Sequence, residues 1–188
     1  MAISTYHANS TGCSAWDGES ASTFFQPVES ELTAGEKSDI ATSDNTRHSH
    51  NEGPAGSEPV LRLRLEIAED EADVTQLRVI AEGYGRTVTG ISSADYGFSV
   101  HIWNLGTQSW DYLGGHGSSG DSTVDETASG DLTDYIDGND RVFVRVKGPS
   151  ADSFSNSSTL YTDFVELEVT YSTGLSNAKC PGIVIAGA

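Results

Sequence analysis

Val60-Leu61-Arg62-Leu63-Arg64-Leu65-Glu66-Ile67 alternates without a break. Leu61, Leu63, Leu65 and Ile67 fall on one side of an extended chain, and Arg62, Arg64 and Glu66 on the other. A period of two is the pattern of a strand with one buried and one outward face. The same period returns downstream. Leu77, Val79 and Ala81 alternate with Arg78 and Glu82, with Ile80 interrupting the polar side, and Phe98, Val100 and Ile102 alternate with Ser99, His101 and Trp103. Trp110–Leu113 reads as the return strand of a hairpin through Asn104–Thr107. Val142, Val144 and Val146 alternate with Arg141, Phe143 and Arg145, and Val165, Leu167, Val169 and Tyr171 with Phe164, Glu166, Glu168 and Thr170.

Gly-, Ser- and Asp-rich stretches, notably 114–130 and 147–158, separate these runs. No helix-period apolar stretch of useful length occurs among them. Leu132–Ile136, between Asp131 and Asp137, reads as one helical turn with an acidic cap. Short alternating strands with Gly/Asx-rich loops predict an all-β fold, an antiparallel β-sandwich of the jelly-roll kind.

Residues 1–58 read differently. They are rich in Ser, Thr, Gly, Asn and Glu, and their large apolar side chains are scattered. Such a segment buries too little surface to offset its own ordering entropy. The expected organisation is therefore an extended, largely irregular polar arm over 1–58, a β-sandwich domain over 59–173 and a C-terminal tail over 174–188. In this reading Tyr6, Trp16, Phe24 and Phe25 anchor the arm on neighbouring copies.

Charge describes the solvent. The 188 residues contain 28 Asp and Glu against 10 Lys and Arg, a formal net charge of −18 with a pI near 4.3. Only Lys37, Lys147 and Lys179 are lysines. Self-repulsion of this size opposes a compact state in dilute buffer. It becomes tolerable when the Debye length shrinks to about 3 Å at molar salt. The composition is that of a protein working in concentrated salt. With no basic patch, nucleic acid is excluded as a direct partner. No apolar run reaches the ~18 residues of a membrane span, and the N-terminus has neither the basic start nor the apolar core of a secretion signal. Synthesis in a cytoplasm is the expectation. Cys13 and Cys180 lie near opposite ends of the chain, read as free buried thiols or, alternatively, as one disulfide.

Trp103-Asn104, Trp110, Leu113-Gly114, Leu132–Asp137, Arg141–Val146 and Leu160–Val169 together resemble the jelly-roll, galactose-binding-like modules of prokaryotic and archaeal surface proteins. The resemblance spans residues 59–173. It implies the sandwich fold, and a role as carbohydrate binder, adhesion unit or spacer. A module of secreted type on a chain without a secretion signal fits a virion protein, made in the host cytoplasm and freed by lysis. The expected function is thus a non-enzymatic component of a halophilic virion of a haloarchaeal tailed virus. It would be a capsid decoration, a turret or another head or tail accessory protein, partnered by copies of itself and a capsid or other virion protein. This likeness is at the level of fold. The alternative is a carbohydrate-binding or adhesion module that meets a host glycan.

Candidate sites are few. Trp103, Trp110 and Tyr112 are the glycan-contact candidates, as an aromatic platform for sugar rings; packing is the competing reading. Asp131, Asp134 and Asp137 recur every third residue and supply the oxygens that a structural Ca²⁺ or Mg²⁺ requires, without the register of an EF-hand loop. His48 and His50 would point the same way on an extended backbone, but few carboxylates neighbour them in sequence, and they read as a solvated polar loop. No Gly-x-Ser-x-Gly and no phosphate-binding Gly-Lys-Ser occurs, and no catalytic residue or cofactor is expected.

Overall fold

The computed structural model describes residues 1–19, 29–53, 57–89, 94–151 and 155–173. Among these residues eleven strands pair, all antiparallel, into two sheets. In chain order they are β1 (Ala2–Tyr6), β2 (Ser14–Glu19), β3 (Ser30–Glu31), β4 (His48–Glu52), β5 (Pro59–Glu66), β6 (Val74–Thr89), β7 (Phe98–Asn104), β8 (Ser109–His116), β9 (Ser122–Thr127), β10 (Arg141–Lys147) and β11 (Ser155–Tyr171). The first sheet runs β1-β11-β6-β9, with β4 also pairing along β11; the second runs β3-β2-β5-β10-β7-β8. Without β2 to β4, the eight remaining strands divide as β1, β11, β6, β9 and β5, β10, β7, β8. This is the interlocked Greek-key order of a jelly roll.

The core lies where the alternation places it. Leu61, Leu63 and Leu65 face Leu77, Val79 and Ala81, Val100 and Ile102, Val142, Val144 and Val146, and Val165, Leu167 and Val169, all buried between the sheets. Along β11 the inward positions change phase, from Leu160 to Val165. A register shift between Thr162 and Phe164 supplies the extra residue, Asp163. Opposite this stretch β6 carries Gly83, where a Cβ would clash with the Tyr161 carbonyl oxygen. Leu132–Tyr135 forms a single 3₁₀ turn, and Asp131 caps it by accepting from the Thr133 N–H, as the acidic cap predicts.

The structure departs from the expected arm. The described residues of 1–58 are not an irregular appendage but contribute β1 to β4 and the short helix α1 (Ala34–Asp39). β1 and β4 extend the first sheet along β11, and β2 pairs with β5 over Ser14–Glu19. Ala8, Cys13, Ala15, Leu32 and Ile40 join the core itself. The reason is that each piece borrows its apolar surface from a distant strand, so none needs a strong pattern of its own. The Gly-rich stretch 114–130 likewise contains β9.

Candidate functional site

The outer face of the second sheet gathers the side chains that the alternation turns away from the core. Strand register places Trp16, Arg62, Arg145, His101 and Tyr112 side by side in one row across β2, β5, β10, β7 and β8. A second row holds Ser14, Arg64 and Phe143, with Trp103 opposite Trp110 beyond them. Cations and aromatics interleave here. The Arg64 guanidinium lies 5.4 Å from the Trp16 ring centroid, Arg145 4.8 Å from Trp110, and Arg141 5.7 Å from Phe143. Like charges directly opposite each other repel. Arg62 and Arg145 are such a pair, and Glu29 ion-pairs with Arg62. Burial and the Arg145 charge lower Arg62 to about 10, and burial takes Arg145 to about 10 as well.

Most of this face is not open. Arg62 is 0% exposed, and Trp103, Phe143 and Arg145 are also buried. Trp103 meets Trp110 edge to face with centroids 5.3 Å apart. Of the three glycan-contact candidates, only Tyr112, at 64% exposure, stands at the surface; Trp110 is half-buried. Trp103 therefore packs rather than forming a platform. Ser99 and His101, two apart on β7, are hydrogen-bonded at 3.0 Å. Burial, then Arg145 and Lys147, push the His101 ring down to about 3, so it is a neutral imidazole at neutral pH and a feeble base for that hydroxyl. Beside them an open cleft of about 280 Å³ is lined by Glu58, Tyr96, Phe98, Ser99, His116 and Lys147. Lys147 Nζ donates to both Glu58 oxygens at 3.0 and 3.1 Å across it.

The three Asp candidates have separate duties. Asp131 caps the 3₁₀ turn, the Asp134 carbonyl accepts from the Leu105 N–H, and Asp137 receives the Arg141 guanidinium at 2.5 Å along with two backbone N–H groups. Hydrogen bonding and the Arg141 charge outweigh burial and hold the Asp137 carboxyl below its usual value. Among the described residues no group of three or more His, Cys, Asp and Glu is arranged to hold a metal ion.

Tyr6 and Trp16, expected to anchor on other copies, are engaged within the chain. The Tyr6 hydroxyl donates to Glu69 Oε2 at 2.6 Å, and Trp16 carries Arg64. Phe24, Phe25 and Cys180 lie outside the described residues. Cys13 is a free, buried thiol whose pKa burial raises.

Sequence reasoning missed the row of Arg62, Arg145 and His101 because the alternation assigns a face without assigning a register. It also read His48 and His50 as a solvated polar loop. They lie on β4, buried and half-buried, against Asp17 of β2, a residue 31 positions before His48.

Fold and site together define an acidic jelly-roll sandwich with a packed arginine–aromatic face. Residues 5–171 match the AF_1625_C family, described as "Uncharacterized protein, C-terminal domain", and the chain belongs to that family. The match runs unbroken from β1 to β11. Among curated proteins and solved structures, none matches the chain.

Proposed function

We propose that this chain is a non-enzymatic structural component of a halophilic virion, a capsid decoration, turret or other accessory protein that assembles as a symmetric oligomer. The observation that carries this reading is where the charge sits. Of the ten Lys and Arg side chains, all but Lys179 lie in described residues, and every one of these is engaged. Lys37, Arg47, Arg62, Arg78, Arg141 and Lys147 meet carboxylates, and Arg64, Arg86 and Arg145 lie over aromatic rings. Carboxylates are left in excess, with Asp44, Glu66, Asp70, Asp95, Glu126 and Asp140 exposed. A rigid sandwich with an acidic exterior suits a knob that must stay hydrated and folded at low water activity.

Mass spectrometry of purified virions from a hypersaline host tests the assignment. The chain is expected at a stoichiometric copy number, and its absence from every particle would overturn the proposal. Light scattering in molar salt gives the oligomer order.

One observation favours a second reading, as a glycan-binding module: Tyr112 is exposed beside the half-buried Trp110 on β8. On a glycan array in molar salt, Tyr112→Ala should abolish a wild-type signal without moving the melting temperature. No wild-type signal with any glycan leaves only the structural reading.

A further inference from the structure

One edge of the sandwich is closed by a cluster that joins the two sheets. His48 and His50 lie on β4 of the first sheet, and Asp17 on β2 of the second. His48 Nε2 is 2.8 Å from Asp17 Oδ2, and His50 Nδ1 is 3.5 Å from the same oxygen. The second ring nitrogen of each imidazole faces another carboxylate. His50 Nε2 is 2.8 Å from Glu52 Oε1, and His48 Nδ1 is 4.0 Å from Glu36 Oε1 on α1. Among the described residues, the register partners of His48, His50 and Asp17 on the other packed strands are Thr162 and Leu160 on β11, Leu61 on β5 and Ser30 on β3, none of them titratable. Lys37 on α1 is committed to Glu31 at 2.7 Å. Two imidazoles thus answer three carboxylates.

We propose that the His48–His50–Asp17 cluster is a proton-operated clasp between the two sheets, closed when His50 is protonated and loosened when it is neutral. The chemistry is electrostatic. With the His50 ring neutral, the Asp17 and Glu52 carboxylates face it on both sides without a compensating charge, Glu36 lying at the exposed rim; protonation turns these contacts into charge-assisted hydrogen bonds. Burial works against the His50 charge, but Asp17 and Glu52 outweigh it and raise His50 above its usual 6.5. Burial likewise opposes the Asp17 charge, and the two histidines outweigh that and lower Asp17 below 3.8.

The signs follow from linkage. A raised His50 contributes stability that is complete below pH 6.5 and is lost as pH rises through its folded value. A lowered Asp17 contributes stability that is present above pH 3.8 and is lost in stronger acid. The clasp is tight between these limits and opens on the alkaline side. What opens is the junction of β4 with β2, strands that lie outside the eight-strand jelly-roll order.

The test uses the full chain in molar KCl. The His50 ring is expected to titrate above pH 6.5 by NMR. Amide exchange over 48–52 and 14–19, corrected for its intrinsic pH dependence, should accelerate by up to about tenfold per pH unit across that titration. His50→Gln should remove this acceleration while leaving the exchange of β6 and β10 unchanged. A His50 that titrates at or below 6.5 would overturn the proposal, as would an unchanged exchange profile in His50→Gln. Should His50→Gln not fold, the wild-type titration decides alone.

Discussion

Tyr6 shows how a residue expected to reach outward is used within the chain. Its hydroxyl donates to Glu69 Oε2 at 2.6 Å and accepts from the Ala68 N–H at 2.9 Å, tying β1 to the turn after β5. Burial and the Glu69 carboxylate push the phenol up to about 12. The folded state therefore holds this proton more tightly than the unfolded chain, where the usual value is 10.0. Stability from Tyr6 is complete below pH 10 and is lost as pH rises toward 12. Tyr6→Phe should cost about 1.5–3 kcal/mol at neutral pH, the range for a hydrogen bond to a charged group. It should also flatten the decline in melting temperature between pH 10 and 12. Equal alkaline slopes in the two proteins would show that Glu69 does not hold the phenol proton.

At the scale of elements, the described part of the first 58 residues is structural. β2 covers the β5 edge through six registered pairs, and Ala15 and Ile40 are fully buried. β1 and β4 together line one edge of β11. Deleting residues 1–57 strips both strand edges and uncovers the apolar side chains of β5 and β11. Unpaired edges and exposed core favour association over folding. The truncated chain should lose its cooperative thermal transition and aggregate, which circular dichroism and light scattering would register together. A soluble, cooperatively melting fragment would instead mark residue 59 as an independent domain start.

For the whole molecule, a net charge of −18 sets up self-repulsion that opposes the compact state. Every described cation is already engaged, so added salt screens mainly carboxylate–carboxylate repulsion. Raising salt from 0.1 to 1 M shortens the Debye length from about 10 to about 3 Å. Each ~1 kcal/mol of relief moves the melting temperature of a chain this size by about 2–4 °C. The melting temperature should therefore climb steadily with KCl into the molar range. A flat or falling profile would refute adaptation to concentrated salt.

What the sequence by itself determined is local and periodic. The runs at Val60–Ile67, Phe98–Trp103, Arg141–Val146 and Phe164–Tyr171 specify strands and their buried faces, because side chains alternate strictly across an extended backbone. Composition specified the charge. Only the tertiary structure decided what depends on pairing between distant segments. The chain from Ala2 to Glu52 has little apolar periodicity, and its strands exist because β11 and β5 offer hydrogen-bonding edges. Trp103 sits on a polar-facing position yet is buried, because Trp110 of the neighbouring strand packs against it. His48, His50 and Asp17 become one cluster only when β4 of one sheet closes on β2 of the other. Register and sheet contact are long-range choices, and no local pattern of residues encodes them.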